Sequence, residues 1–282
     1  MCTCSLSGGR RPARQRASSD PTRMCGATTL SASIQDGNQK DMQPPNKSPN
    51  SLANYPLSII RRTIKQLVFG DRAEAKRVRV GLLRGLYFHI DPKNKSQRLI
   101  GFDEREIVSI TRRFASRART CVDVGAYDGW YTVYCASMAN VERVFACEPS
   151  NGSIELLDAN LSLNKNALNA KLTIIPRFIG TKIGQDWISV DDLLETSSGP
   201  FLLKVDVDGG ELDVLQSAEK MLKVHAAYLI VETHSPELER DCVQFLSRFG
   251  YSSRVVKNAW YRWVIPDKRP IPHNRWFYAE KL

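Results

Sequence analysis

The sequence predicts an α/β fold, a doubly wound parallel sheet with helices on both faces and an antiparallel edge. Three observations carry this expectation. Short apolar strands alternate with helical segments from Cys121 onward, the pattern of strands joined by crossover helices. The first of these strands breaks into a glycine turn and feeds directly into a helix, within C-V-D-V-G-A-Y-D-G-W-Y at Cys121 to Tyr131. The chain closes on two strands, Ser253 to Lys257 and Trp276 to Glu280, with no helix between them, which suits an antiparallel edge.

The elements follow in order. Residues 1–50 are rich in Ser, Pro, Asn, Gly and Arg, lack an apolar period, and read as a disordered tail. Residues 51–120 read as a basic extension that packs on the core. Within it, 56–69 has Ile60, Ile64, Leu67 and Val68 on one helical face. Docking on the protein's own core is the favoured reading of that helix, and peripheral contact with an anionic membrane the other. A hairpin is expected over 78–90, and an amphipathic helix over 103–118 through Ile107, Ile110 and Phe114. Residues 121–282 form the main domain. Its strands are Cys121 to Val124, Val144 to Cys147, Leu172 to Ile175, Phe201 to Val207 and Ala227 to Thr233. Its helices are Trp130 to Ser137, Ser150 to Asn164, Leu212 to Leu222 and Pro236 to Phe249. Between the third and fourth strands, 187–195 reads as an exposed strand running into a short helix.

Composition narrows the partners. No apolar run approaches the eighteen residues of a membrane-spanning helix, and arginines at 10, 11, 14 and 16 interrupt any signal core. Residues 1–120 hold 23 Lys/Arg against 9 Asp/Glu, whereas 121–282 hold 17 against 21. The basic character therefore belongs to the N-terminal part, as a solvated extension or a contact for an anionic partner. Seven cysteines at irregular spacing include Cys121, Cys135 and Cys147 in apolar contexts. They read as core thiols of a reducing, cytoplasmic setting.

The turn after the first strand carries the chemistry. A strand ending in a glycine turn offers backbone N–H groups at the following helix terminus. Gly125 allows the tight turn and Gly129 a close approach. About 25 residues beyond Asp123, Glu148 ends the second strand, where a doubly wound fold grips a ribose. The spacing D-x-G-x-x-x-G is not the dinucleotide pattern G-x-G-x-x-G, which argues against a nicotinamide-dependent dehydrogenase. An acid leading the turn suits a ligand with an ammonium group. S-adenosylmethionine carries that group, a carboxylate for the helix terminus and a ribose for Glu148.

Four segments resemble the class I S-adenosylmethionine-dependent methyltransferases, and within them the FkbM family of O-methyltransferases. They are V-D-V-G-A-Y-D-G-W-Y at 122–131, F-A-C-E-P-S at 145–150, S-V-D-D-L-L at 189–194, and L-L-K-V-D-V-D-G-G-E-L-D-V-L at 202–215, the last followed by L-I-V-E-T-H at 229–234. The resemblance implies a Rossmann-like seven-stranded sheet with the last strand antiparallel, and methyl transfer to oxygen. Carried over by position, Asp123, Gly125, Tyr127 and Gly129 hold the methionine part of the donor and Glu148 its ribose. Asp206 then faces the reacting methyl group. The segment Pro176 to Ile188 is short for the family, and Asp186 is its one acid for the adenine.

Methyl transfer from a sulfonium is an in-line displacement, and a neutral hydroxyl acceptor needs a base or a cation that lowers its pKa. Strand alternation puts Lys204, Asp206 and Asp208 on one side of the fourth strand, and Glu232 and His234 end the fifth. Asp206 or His234 is the expected base, with Lys204 orienting it or steadying the oxyanion; Lys204 and Asp206 as a structural ion pair is the plainer reading. Glu211 reads as a helix cap. No dedicated metal cluster is expected, although Asp206, Asp208 and Glu232 offer oxygen ligands for a divalent cation. The acceptor is expected to be a small molecule, a glycan or a lipid-linked compound. Nucleic acid is disfavoured, because the fourth strand lacks N/D-P-P-Y/F and no basic-aromatic strip marks the main domain. Trp260, Tyr261 and Trp263 are candidates to stack on a sugar ring or to cover the core.

Overall fold

The computed structural model describes residues 72–257, 259 and 273–281. The tail at 1–50, the helix expected at 56–69, and Trp260, Tyr261 and Trp263 lie outside the described residues. No described helix is long and apolar enough to cross a membrane.

The main sheet has seven strands: β3 (Thr120–Val124), β4 (Arg143–Cys147), β5 (Lys171–Ile175), β8 (Phe201–Val205), β9 (Ala227–Thr233), β10 (Tyr251–Val255) and β11 (Arg275–Lys281), in the order β10-β11-β9-β8-β3-β4-β5. The five from β5 to β9 pair in parallel, and β11 runs antiparallel to both its neighbours. The last strand is therefore antiparallel, as expected, but it inserts beside β9 and leaves β10 at the edge. Every residue of the central strands β3 and β8 is buried, which explains their near-continuous apolar sequence.

Alternation divides the core in two. Cys121, Val144, Ala146, Leu202 and Ile230 belong to one cluster, with α2 (Arg105–Ala115), α3 (Trp130–Ser137) and α4 (Asn151–Leu163) packed there through Phe114, Val133 and Leu157. Val122, Val124, Leu203, Val205 and Val231 belong to the other, covered by α6 (Glu211–Gln216), α7 (Glu219–Val224) and α8 (Pro236–Ser247) through Val214, Leu222 and Phe245. The first cluster also contains Val78, Leu83, Phe88 and Ile90 from ahead of the main domain, so that segment shares one core with the sheet.

Several boundaries differ from the sequence expectation. The hairpin expected over 78–90 is formed instead by β1 (Glu74–Arg77) and β2 (Tyr87–Ile90), and 78–86 is its connection. Leu82 and Leu83 in that connection are buried, so apolar character there reflects core packing, not pairing. β8 stops at Val205, two residues early, where the Asp206 N–H turns to the Val124 carbonyl at 3.0 Å. The helix expected at 212–222 is broken at Ser217, whose hydroxyl donates to the Val214 carbonyl and accepts from the Val190 N–H. The segment 187–195 forms β7 (Trp187–Ile188), paired with β6 (Phe178–Ile179), and α5 (Val190–Leu193), capped by the Ser189 side chain.

One helix was not legible: α1 (Pro92–Ile100), kinked at Lys95. Its polar sequence hides it, because what it buries is Arg98 rather than an apolar stripe. Arg98 bonds Asp128 at 2.6 Å and Asp103 at 2.9 Å, and lies 4.5 Å over the Trp130 ring. Lys95 reaches the same Asp128 oxygen at 2.8 Å. Burial pushes the Asp128 carboxyl upward, but Arg98 and Lys95 outweigh it and hold it below the ordinary aspartate range.

A group whose folded pKa is depressed stabilises the fold above its unfolded pKa, about 3.9, and loses that contribution as pH falls through the folded value. Arg98→Met leaves two carboxylates without their buried partner and is expected to cost about 3–5 kcal/mol in urea unfolding at neutral pH. The acid limb of the stability curve below about pH 4 is expected to flatten in Asp128→Asn relative to wild type; an unchanged acid limb would remove Asp128 from the pH dependence.

Candidate active site

Parallel pairing sets the first contact. Asp123 of β3 stands directly beside Lys204 of β8 in the register. The Lys204 ammonium lies 3.2 Å from Asp123 Oδ1, 3.4 Å from Asp206 Oδ2, and 3.2 Å from the Gly125 carbonyl, to which it donates. The Thr132 hydroxyl donates to the other Asp123 oxygen at 2.7 Å. Both charged side chains are buried. Burial works against the ammonium, but Asp123, Asp206 and Glu104 outweigh it and hold the Lys204 pKa above the ordinary lysine value.

The glycine turn has a different interior from the one expected. Four of its N–H groups are paired within the fold. Gly125 and Ala126 donate to the Cys147 carbonyl, Tyr127 to Glu148 Oε2 at 2.9 Å, and Gly129 to the Ala126 carbonyl. The strand end is thus closed by its neighbour β4, because a buried backbone must find partners. Gly125 adopts φ +76°, and a Cβ there would stand 1.9 Å from the Asp206 carbonyl oxygen. A Cβ on Gly129 would stand 2.3 Å from Leu157 of α4, so its close approach is taken by helix packing. Tyr127 itself adopts a left-handed φ of 49°, with its ring exposed and the Lys95 ammonium 4.1 Å from the ring centroid.

Glu148 sits at the end of β4, buried, with one oxygen on the Tyr127 N–H and the other on the Ser150 N–H at 2.9 Å. Two backbone donors thus fix the carboxylate at the mouth of the turn. Asp186 is exposed, and its carbonyl pairs with the Phe178 N–H.

On the other side of Lys204 the carboxylates gather. Val205 pairs with Val231, so Asp206 and Glu232 follow one step further along neighbouring strands. His234 lies two residues beyond Glu232. Its Nδ1 bonds the wholly buried Glu211, and its Nε2 lies 3.6 Å from Asp208. The Glu211 hydrogen bond raises the His234 pKa against the opposing pull of burial, with Asp206 and Asp208 adding to the rise. One ligand atom from each of Asp206, Glu232 and His234 falls within 4.8 Å of the others.

The structure therefore brings Asp123, Gly125, Lys204 and Asp206 into one connected group, with His234 beside Asp206. Tyr127, Gly129 and Glu148 line the neighbouring turn. Sequence reading missed Thr132, Glu104 and the role of Glu211. Glu104 accepts a short hydrogen bond from the buried Tyr131 hydroxyl from a left-handed backbone (φ 45°), and Lys204 lies 5.1 Å over the same ring. A non-glycine residue in that conformation is held by its surroundings, and no sequence signal announces it. Gly125→Ala is expected to destabilise the fold by more than about 2 kcal/mol, since both φ and the Asp206 carbonyl oppose a side chain; wild-type stability on thermal melting would show that the turn yields.

A family model described as the methyltransferase FkbM domain matches residues 165–253. Hexuronic acid methyltransferase AglP from Haloferax volcanii is 27% identical over 176 residues, covering 55% of this chain and 72% of that protein. Among solved structures, the methyltransferase FkbM from Methylobacillus flagellatus aligns with a TM-score of 0.46 and 19% identity, over 58% of this chain and 44% of that one. This chain thus spans less than half of that protein. An S-adenosylmethionine-dependent O-methyltransferase from Thermotoga maritima aligns with a TM-score of 0.42 and 16% identity, over 64% and 65%. The family model covers residues 165–253 only, and together with AglP it supports the resemblance to the FkbM methyltransferases read from the sequence.

Proposed function

We propose that this methyltransferase moves the methyl group of S-adenosylmethionine to a hydroxyl oxygen of a sugar or other small polyhydroxylated acceptor. The observation that carries the reading is the meeting of Asp206 with the Asp123–Lys204 pair at the carboxyl ends of β8 and β3. Ligands of open α/β sheets enter at that edge. The name of the similar AglP, a hexuronic acid methyltransferase, favours a glycan over the other acceptors.

The donor-side residues fit the group. Glu148, fixed by two backbone donors, presents carboxylate oxygens where a ribose hydroxyl pair would lie. Asp123 and the Gly125–Gly129 turn form the floor for the methionine part, and Lys95 over the Tyr127 ring brings positive charge to the same turn. When bound, the donor supplies an electrophilic methyl on a positively charged sulfur. The residues of the chain do the rest. Lys204 holds Asp206 in place and is occupied by two carboxylates and a carbonyl, which favours an orienting role over direct oxyanion contact. Asp206 and His234 are the groups placed to take the acceptor proton; Glu211 keeps the imidazole ring turned with Nε2 outward. As the acceptor oxygen bonds to the methyl carbon, the carbon–sulfur pair returns to sulfur and leaves a neutral thioether.

Incubation with isotope-labelled donor and a panel of uronic acids, neutral sugars and glycans, read by mass spectrometry, is expected to give a product one methyl heavier. Asp206→Asn is expected to lower turnover by about a hundredfold or more with donor-product affinity little changed. Glu148→Ala is expected to weaken S-adenosylhomocysteine binding by about tenfold, roughly 1.4 kcal/mol. No calorimetric heat with S-adenosylhomocysteine, together with an indifferent Glu148→Ala, would overturn the reading. Retardation by RNA with methylation of it would move the acceptor to nucleic acid.

A further inference from the structure

We propose that Asp206, Glu232 and His234 form a binding site for one divalent cation of the magnesium or manganese class, at the carboxyl ends of β8 and β9. Three observations converge on it. The first is position. Asp206 and Glu232 sit one step past the Val205–Val231 pair, and Glu232 and His234 are two residues apart, so all three are carried to the same sheet edge. One ligand atom from each lies within 4.8 Å of the others, a spacing that a single ion can draw together.

The second is the histidine's orientation. His234 Nδ1 is hydrogen-bonded to the buried Glu211; in the tautomer that donates this bond, Nε2 is left with a lone pair. A carboxylate behind a histidine, fixing tautomer and ring plane, is how metal-bound histidines are held. The third is charge. Glu232 is almost wholly buried, and Asp206 stands beside it. Two carboxylates at that distance repel, and Lys204 is shared with Asp123 on its far side. A cation between them offsets the repulsion. Asp208, largely exposed and 3.6 Å from Nε2, stands at the rim as a further oxygen.

Two oxygens and one imidazole nitrogen suit manganese or magnesium with open positions, unlike the four closed ligands of a structural zinc site. The cation's use in catalysis rests on the methyl-transfer reading above, whereas its binding is a property of the side chains alone. Bound there, it takes the acceptor hydroxyl as a ligand and lowers that hydroxyl's pKa. The proton leaves to solvent, the oxygen pair forms the bond to the methyl carbon, and the carbon–sulfur pair goes to sulfur. Asp206 then serves as a ligand and no side chain need act as the base.

The test is a titration of the full chain with Mn²⁺, followed by electron paramagnetic resonance, with and without S-adenosylhomocysteine. One saturable ion per chain is expected. Glu232→Gln and His234→Gln are each expected to weaken it at least about a hundredfold, and Glu211→Gln by about ten- to a hundredfold. Retained S-adenosylhomocysteine binding in these variants shows that they fold. Absence of saturable Mn²⁺ binding by the wild-type chain, or binding that both ligand variants keep, overturns the site. A wild-type chain that binds Mn²⁺ but not S-adenosylhomocysteine retains the site and loses the methyl-transfer reading instead.

Discussion

The buried pairing of Asp123 with Lys204 is the contact on which the rest of the site depends. Two charges in the middle of a fully buried sheet are costly to desolvate, and such a pair rarely adds much net stability over an apolar one. What it supplies is placement. Lys204 reaches Asp123, the Gly125 carbonyl and Asp206 at once, and Thr132 holds Asp123 from α3. The glycine turn, the end of β8 and α3 therefore share one ammonium. The Gly125 backbone lies so near the Asp206 carbonyl that the two strand ends interlock without room for a side chain.

Around this centre the charges are sorted. Asp206, Asp208, Glu211 and Glu232 crowd beyond the carboxyl ends of β8 and β9, with His234 among them. Glu148 is held past the end of β4 on two backbone donors. On the function proposed above, the donor lies beside Asp123 and Glu148, and the reacting oxygen beside Asp206.

The basic N-terminal part is less free than its composition implies. Arg98 and Lys95 are both committed to Asp128 in the turn, and Arg113 to Glu280 on the last strand. Two of the cations from outside the main domain thus brace the glycine turn. Most of the other described basic residues ahead of the main domain, among them Arg72, Arg79, Arg84 and Arg105, are exposed, as a solvated extension requires.

The sequence by itself determined the fold class, because period and glycine placement are local. A run of buried residues with one acid, a turn and an apolar helix admits few arrangements other than a parallel strand and its crossover. The same local logic located Asp123, Glu148, Asp206 and His234, each at a strand end. Only the tertiary structure decided what each one touches. The pairing register joined Asp123 to Lys204, and a neighbouring strand closed the turn's N–H groups that had read as open. Glu211 passed for a helix cap because its partner, His234, lies 23 residues away. The helix bearing Arg98 escaped notice for the same reason: its buried side is a cation whose carboxylates lie elsewhere in the chain, and a partner distant in sequence leaves no period to read.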